Sequence, residues 1–304
     1  MTSAPPHDRP GRLSIGLVGA GRAGTPVAAA LARAGHHVIG VAAVSRASRD
    51  RAAALLPRTP VLAAPVVVSL VDLVILAVPD DQLSDLVAGL AATGALHRGQ
   101  WIAHLSGRHG LAVLEPAIEV GATGLAMHPV MTFTGTAIDL ERMAGVHVGV
   151  TCRDSAWPIA QALVLELGGE PARIAEEHRA LYHAALSLAA NSLQTLVAAS
   201  SALLAHAGVE YPTAMLAPLL SAALDNALRG GDTALTGPVA RGDADTVRDH
   251  LLALARTAPD VLPAYRELAR LSALRALDSG LLPPERAAAL LAVLAGDPSR
   301  QARP

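Results

Sequence analysis

The chain has 304 residues, with 24 basic against 26 acidic side chains and a net charge of −2, so one or two domains are expected and no basic tract is present to follow a phosphate backbone. Only 2% of residues are aromatic, which leaves little for stacking on bases and argues against nucleic acid as a partner. One cysteine, Cys152, excludes an internal disulfide and a cysteine-cluster metal site, and the absence of lysine excludes a Schiff base, a phosphate-loop lysine and a lysine proton donor.

In chain order, Met1 to Arg12 is polar and proline-rich, which is not the layout of a signal peptide. Short apolar, mostly β-branched runs at Leu13–Val18, His37–Ala43, Leu73–Val78 and Trp101–His104 predict buried parallel strands. Windows at Thr25–Arg33, Asp81–Ala92 and Leu111–Val120 predict the crossover helices between them. Further strands are expected at Ala122–Met127 and Val146–Val150, with a helix over Ser155–Leu167. After Pro171 the strand signal stops. Helical windows follow at Ala180–Val209, Thr213–Leu228, Ala244–Arg256, Leu262–Leu277 and Pro284–Leu294. The expected fold class is therefore α/β: a Rossmann-type doubly wound sheet over residues 12–172, then an all-α domain over 173–295. Residues 1–11 and 296–304 are expected to be disordered tails.

Two stretches reach membrane length. Val61–Pro79 is interrupted by Pro65 and Asp72 and reads as a connection leading into a strand. Ala180–Val209 carries no formal charge apart from possible histidine protonation, but it is alanine-rich, holds His183, Ser187, Asn191, Gln194 and His206, and lacks basic clusters at its ends. It is expected to be a helix buried on all sides in a soluble protein or dimer, with no membrane partner. The expected location is cytoplasmic.

The strand Ser14–Val18 runs directly into Gly19-Ala20-Gly21-Arg22-Ala23-Gly24, which opens a helix. In that context G-x-G-x-x-G predicts a dinucleotide site: one glycine for the turn, one for approach to the pyrophosphate, one for packing of helix on strand. The helix N-terminus supplies free N–H groups to the phosphate. No Asp or Glu occurs between Asp8 and Asp50, where an acid would hold the ribose of NAD. Ser45, Arg46 and Arg49 stand there instead, and guanidinium groups bind a 2′-phosphate bidentately. NADP is the expected cofactor. Val78-Pro79 and Ser106 follow two other strands at the carboxyl edge, where ligands bind in such sheets, and join the candidate cofactor residues.

Catalytic candidates lie in two segments, Met127-His128-Pro129-Val130 and Tyr182-to-Asn191. His183, Ser187 and Asn191 are four apart and share one helix face, and buried polar groups so placed need partners. His183, His128 and Tyr182 are the ionisable donors of these segments, with His183 the leading one. Arg241 is the candidate for a substrate carboxylate, though it could equally be a loop arginine beside a helix capped by Asp243.

The glycine fingerprint, Ala77-Val78-Pro79-Asp80-Asp81, His128-Pro129, the Tyr182–Asn191 stretch and Leu235-Thr236-Gly237-Pro238-Val239-Ala240-Arg241-Gly242-Asp243 together resemble one family over roughly residues 12 to 280. That family pairs an NADP-type Rossmann domain with a C-terminal helical domain of unknown function. It resembles pyrroline-5-carboxylate reductases and prephenate dehydrogenases in architecture, and some members are regarded as ketopantoate reductases. The resemblance implies a homodimer formed through the helical domains. Familiar ketopantoate reductases use a helix-borne lysine with an asparagine one turn on. With no lysine here, His183 or His128 would have to donate the proton, while Asn191 could still fix the substrate.

These features predict an NADPH-dependent reductase of a small 2-oxo acid, 2-dehydropantoate first among the candidates. An imine reductase of the pyrroline-5-carboxylate kind is the alternative, since a protonated imine brings its own proton. A non-catalytic NADP-binding protein is the third reading.

Overall fold

A computed structural model describes residues 11–296. The expected tails lie outside the described residues except for Gly11 and Gly296. The chain divides into two compact units, the first ending at Ala189 and the second beginning at Ala190.

The first unit is a seven-stranded sheet with helices on both faces. Its strands are β1 (Ser14–Val18), β2 (His37–Ala42), β3 (Leu73–Leu76), β4 (Trp101–His104), β5 (Thr123–Pro129), β6 (His147–Thr151) and β7 (Glu170–Arg173). They lie in the order β2-β1-β3-β4-β5-β6-β7, all parallel to their neighbours except the antiparallel pair β5–β6. Continuous apolar runs suit strands covered on both faces. Leu73 and Ile75 pack into one core layer while Val74 and Leu76 pack into the other, the period-2 alternation of a strand.

The helices of this unit are α1 (Gly24–Arg33), α2 (Arg46–Leu55), α3 (Ala64–Ser69), α4 (Asp80–Ala92), α5 (Glu115–Glu119), α6 (Ile138–Arg142) and α7 (Trp157–Glu166). Ala28 and Leu31 of α1 join Ala160 and Leu163 of α7 in one layer. Leu83, Val87 and Leu90 of α4 join Ala117 of α5 in the other.

Several elements differ from expectation. No helix is expected between β2 and β3, yet Ser45–Arg49 is the start of α2: the Ser45 side chain accepts from the Ser48 N–H at 3.1 Å and caps the helix. The connection before β3 contains α3, with Pro65 in its first turn, where the missing N–H costs nothing. Sheet structure continues past Pro171 in β7, an edge strand that pairs in parallel with β6 from Glu170 to Arg173.

Helix α8 (Arg179–His206) begins in the first unit and runs into the second. The second unit continues with α9 (Pro212–Gly230), α10 (Gly237–Arg241), α11 (Ala244–Thr257), α12 (Leu262–Asp278) and α13 (Pro284–Ala295). Its core is built by α11 to α13 around Val247, Leu251, Ala273, Ala276 and Leu290. The expectation that residues 180–209 are buried on all sides is not met by the single chain: Arg179 is the only buried residue of α8, and Leu181 and Leu188 are 72% and 65% exposed. Helix α9 likewise leaves Leu219 and Leu228 in the open. Residues 176–206 form one helical stretch long and apolar enough to cross a membrane, with an 18-residue window of mean hydropathy 1.3.

Candidate active site

The winding of the sheet reverses between β1 and β3, since β2 lies outside β1 and the chain then crosses to β3. A crevice opens at such a reversal beyond the carboxyl ends of the strands. It is a cavity of about 940 Å³ floored by Gly19, Ala20 and Gly21 after β1, Ala42 to Ser45 after β2, and Ala77 to Pro79 after β3. Gly19 has φ +97°, and a Cβ there would lie 2.6 Å from the Ala77 carbonyl oxygen, so only glycine fits the turn. Gly24 is pressed against Ala77 in the same way. The resulting cradle, with the amino end of α1 behind it, fits a nucleotide pyrophosphate.

Of the other candidate cofactor residues, Ser45, Arg49, Val78 and Pro79 line the cavity. Arg22, Ala23, Gly24, Arg46 and Ser106 are absent from its lining. The Arg46 side chain is 96% exposed, 3.9 Å from Asp50 one turn along, whereas Arg49 turns back and donates to the Ala43 carbonyl at 3.3 Å. Ser48 and Gln82 line the cavity as well. The cap signal at Ser45–Ser48 could have indicated the first of them. Arg51 donates to the Ala20 carbonyl at 2.7 Å and braces the glycine turn from α2.

A second constellation occupies the same sheet edge, at the ends of β4 and β5 and the first turn of α8. His128 Nδ1 lies 2.9 Å from the Tyr182 hydroxyl. The rings of His128 and His183 meet edge-to-face with centroids 6.2 Å apart. Gly107 closes the group: a Cβ there would lie 2.7 Å from His183 Cδ2 and 3.0 Å from His128 Nε2. Ser106 shapes this loop, its Oγ accepting from the N–H groups of Arg108 and His109 at 3.2 and 3.1 Å.

Beneath the loop lies His104, fully buried. Its Nδ1 accepts from the Ser106 N–H at 3.2 Å, and its Nε2 donates to the Gly110 carbonyl at 2.8 Å. A backbone N–H can only donate and a carbonyl only accept, so the ring is held in one neutral tautomer. Burial pushes its pKa down to about 4, helped by Arg179 and His109 against the hydrogen bond to Gly110. Burial likewise pushes His128 down to about 4, with Arg179 and His183 adding to the effect and Asp80 opposing it.

Arg179 is the fixed charge of the region, 2% exposed and, among the described residues, without a salt-bridged carboxylate. Its Nε donates to Thr151 Oγ1 at 2.7 Å and its Nη2 to the Ala126 carbonyl at 2.7 Å. Its guanidinium carbon sits 5.7 Å from the centre of the Tyr182 ring. Burial raises the Tyr182 pKa, with Arg179 opposing. The carboxylate of Glu176 accepts from the N–H groups of Leu111 and Ala112 at 2.7 and 3.2 Å, tying the approach to α8 to the same loop. Sequence reasoning missed His104 and Arg179: the first is hidden inside a strand, and the second has no local partner.

The helix-face stripe is more open than expected. His183 and Ser187 are half-buried and Asn191 is exposed. Asn191 and Arg241 belong to the second unit. Arg241 is exposed at the end of α10, and its carbonyl accepts from Arg286 at 3.3 Å. Asp243 caps α11 beside it, accepting from the Thr246 N–H at 3.1 Å. Among the described residues no cluster of three or more metal-ligating side chains occurs.

Two family models account for most of the chain. A Rossmann-like domain matches residues 2–129, and a domain of unknown function, DUF2520, matches residues 146–272. The chain is a Rossmann-like protein with a DUF2520 domain. No protein of curated function matches it. Among solved structures, this Rossmann–DUF2520 chain is similar to a candidate NADP oxidoreductase from Bacteroides fragilis, with 20% identity over 86% of this chain and 98% of that one and a TM-score of 0.72. A protein from Thermotoga maritima, TM1727, is 22% identical over 87% of this chain and 99% of that one, with a TM-score of 0.65. An imine reductase from Myxococcus stipitatus, solved with NADP+, is 20% identical over 85% and 93%, with a TM-score of 0.60. At these identities the likeness is one of fold.

Proposed function

We propose that this Rossmann–DUF2520 protein is an NADP-dependent oxidoreductase that reduces the carbonyl of a small 2-oxo acid, with 2-dehydropantoate the first candidate. The observation that carries the reading is the placement of the glycine cradle and the His128–Tyr182–His183 group on one edge of one sheet. The nucleotide, when bound, supplies a hydride. Gly19 to Gly21 would hold its pyrophosphate, and Ser45, Ser48 and Arg49 its 2′-phosphate. His183 would donate the proton to the nascent alkoxide, and His128, beside the same Gly107, would orient the carbonyl. The roles of Ser187, Asn191 and Arg241 in holding the substrate rest on the sequence alone.

The buried charge of Arg179 favours a developing oxyanion over a protonated imine. The imine reading is supported instead by the fold shared with the Myxococcus stipitatus imine reductase. A second copy of the chain would cover the leucines that α8 and α9 leave exposed, which makes a homodimer the proposed assembly.

Purified protein and NADPH, offered 2-dehydropantoate and pyrroline-5-carboxylate in turn, test the proposal. Turnover of the oxo acid supports it. Turnover of the imine alone would move the assignment to the alternative. Tight NADPH binding with no turnover of any oxo acid or imine would leave a non-catalytic NADP-binding protein.

A further inference from the structure

We propose that Tyr182 is a positioning residue whose hydroxyl donates to Nδ1 of His128, holding that imidazole as the neutral tautomer with its proton on Nε2, the nitrogen turned toward Gly107. The role deepens the oxidoreductase reading and rests on it: an Nε2–H at that place is a hydrogen-bond donor for a substrate oxygen. No proton need leave the ring for it to polarise a carbonyl.

Three observations support the direction of the bond. His128 Nδ1 and the Tyr182 hydroxyl have no other hydrogen-bond partner among the described residues. If the imidazole donated, the phenol proton would have no protein acceptor, whereas a phenol donating to Nδ1 satisfies both groups. The guanidinium of Arg179, close to the phenol ring, opposes the rise that burial gives the phenol and makes a second positive charge on the imidazole unfavourable. The groups facing His128 are Arg179, Tyr182 and His183 from α8 and Asp80 from α4. Burial and Arg179 keep the ring uncharged against the single opposing carboxylate.

The strand ladder is adapted to the same contact. Gly149 stands directly across from His128 in the β5–β6 pair. A Cβ on Gly149 would lie 2.4 Å from the Tyr182 hydroxyl oxygen and 2.7 Å from its Cζ. The phenol therefore reaches His128 through the space left by a missing side chain. Alanine at that position would push it off Nδ1.

Long-range proton–nitrogen correlation spectra of the ring nitrogens test the role directly, with His128→Gln identifying the signal. At pH 7 the wild type should show a protonated Nε2 and a bare Nδ1 for His128. In Tyr182→Phe, and in Gly149→Ala, the signal should move to a mixture of tautomers. On the substrate that turns over, Tyr182→Phe should lose about tenfold in kcat with KM and NADPH affinity kept. A wild-type His128 protonated on Nδ1, or charged at pH 7, overturns the proposal even if neither variant folds. So does an unchanged tautomer in Tyr182→Phe. Failure of the oxidoreductase reading would appear separately, as absent turnover with the expected tautomer in place.

Discussion

The two neutral histidines of the sheet unit should make it acid-labile in a defined window. His104 is fully buried and held near pKa 4, chiefly by burial, against about 6.5 in an unfolded chain. The unfolded state therefore takes up the proton first, so the stability that this histidine permits is complete above pH 6.5 and lost as the pH falls from there toward 4. Lowering the pH from 7 to 5 should cost about 2 kcal/mol through His104 alone, from the ratio of proton binding in the two states. His128, also near 4, adds in the same direction. The assay is urea unfolding followed by circular dichroism at pH 7, 6 and 5, at one protein concentration. His104→Gln should be less stable at pH 7, because it gives up the bond from the Ser106 N–H. Its loss between pH 7 and 5 should nonetheless be smaller than the wild type's by about 2 kcal/mol. Equal losses in the two proteins would show that His104 takes up its proton in the folded state as easily as in the unfolded one, and the argument from burial would fail.

Three other outcomes are expected. Arg49→Ala should weaken NADPH binding about ten- to a hundredfold, while NADH binding hardly changes and Arg46→Ala has the smaller effect; equal losses of both nucleotides on titration would refute a 2′-phosphate site. His183→Ala should lower kcat by about two orders of magnitude with NADPH affinity intact, and near-full activity in steady-state assays would remove it as the proton donor. The wild type should sediment as a dimer at micromolar concentration and Ala198→Arg as monomer or aggregate; a stable wild-type monomer contradicts the proposed interface.

What could be read in advance followed local periodicity. Runs such as Leu73–Leu76 and Trp101–His104 are buried on both faces, so their composition alone marks them as strands. The glycine turn was legible because its demands, a positive φ at Gly19 and close packing at Gly24, fall within six residues. Other features depend on distant partners. His128 and Tyr182 are 54 positions apart and meet only once β5 and α8 are in place. Arg179 gives no sign of burial in sequence, because the Ala126 carbonyl and Thr151 hydroxyl that hold it belong to two other strands. The exposure of α8 in the single chain has a related cause. An uncharged helix implies a cover, and the sequence does not say whether that cover comes from the same chain.

The pairing of His128 with Gly149 determines where this protein can tolerate a change of length. Side chains alternate along a strand, so sliding β6 by one residue would set Val148 or Val150 opposite the histidine and place a branched side chain where the phenol now lies. Residues added or removed within β5 or β6 should therefore abolish the tyrosine contact even if the sheet still forms. The connection from Met131 to Val146 lies outside the ladder and can in principle vary in length without shifting that pair. An insertion scan would be expected to divide sharply at the strand ends, with the site's sensitivity written into ladder parity and not into the distance of each insertion from His128.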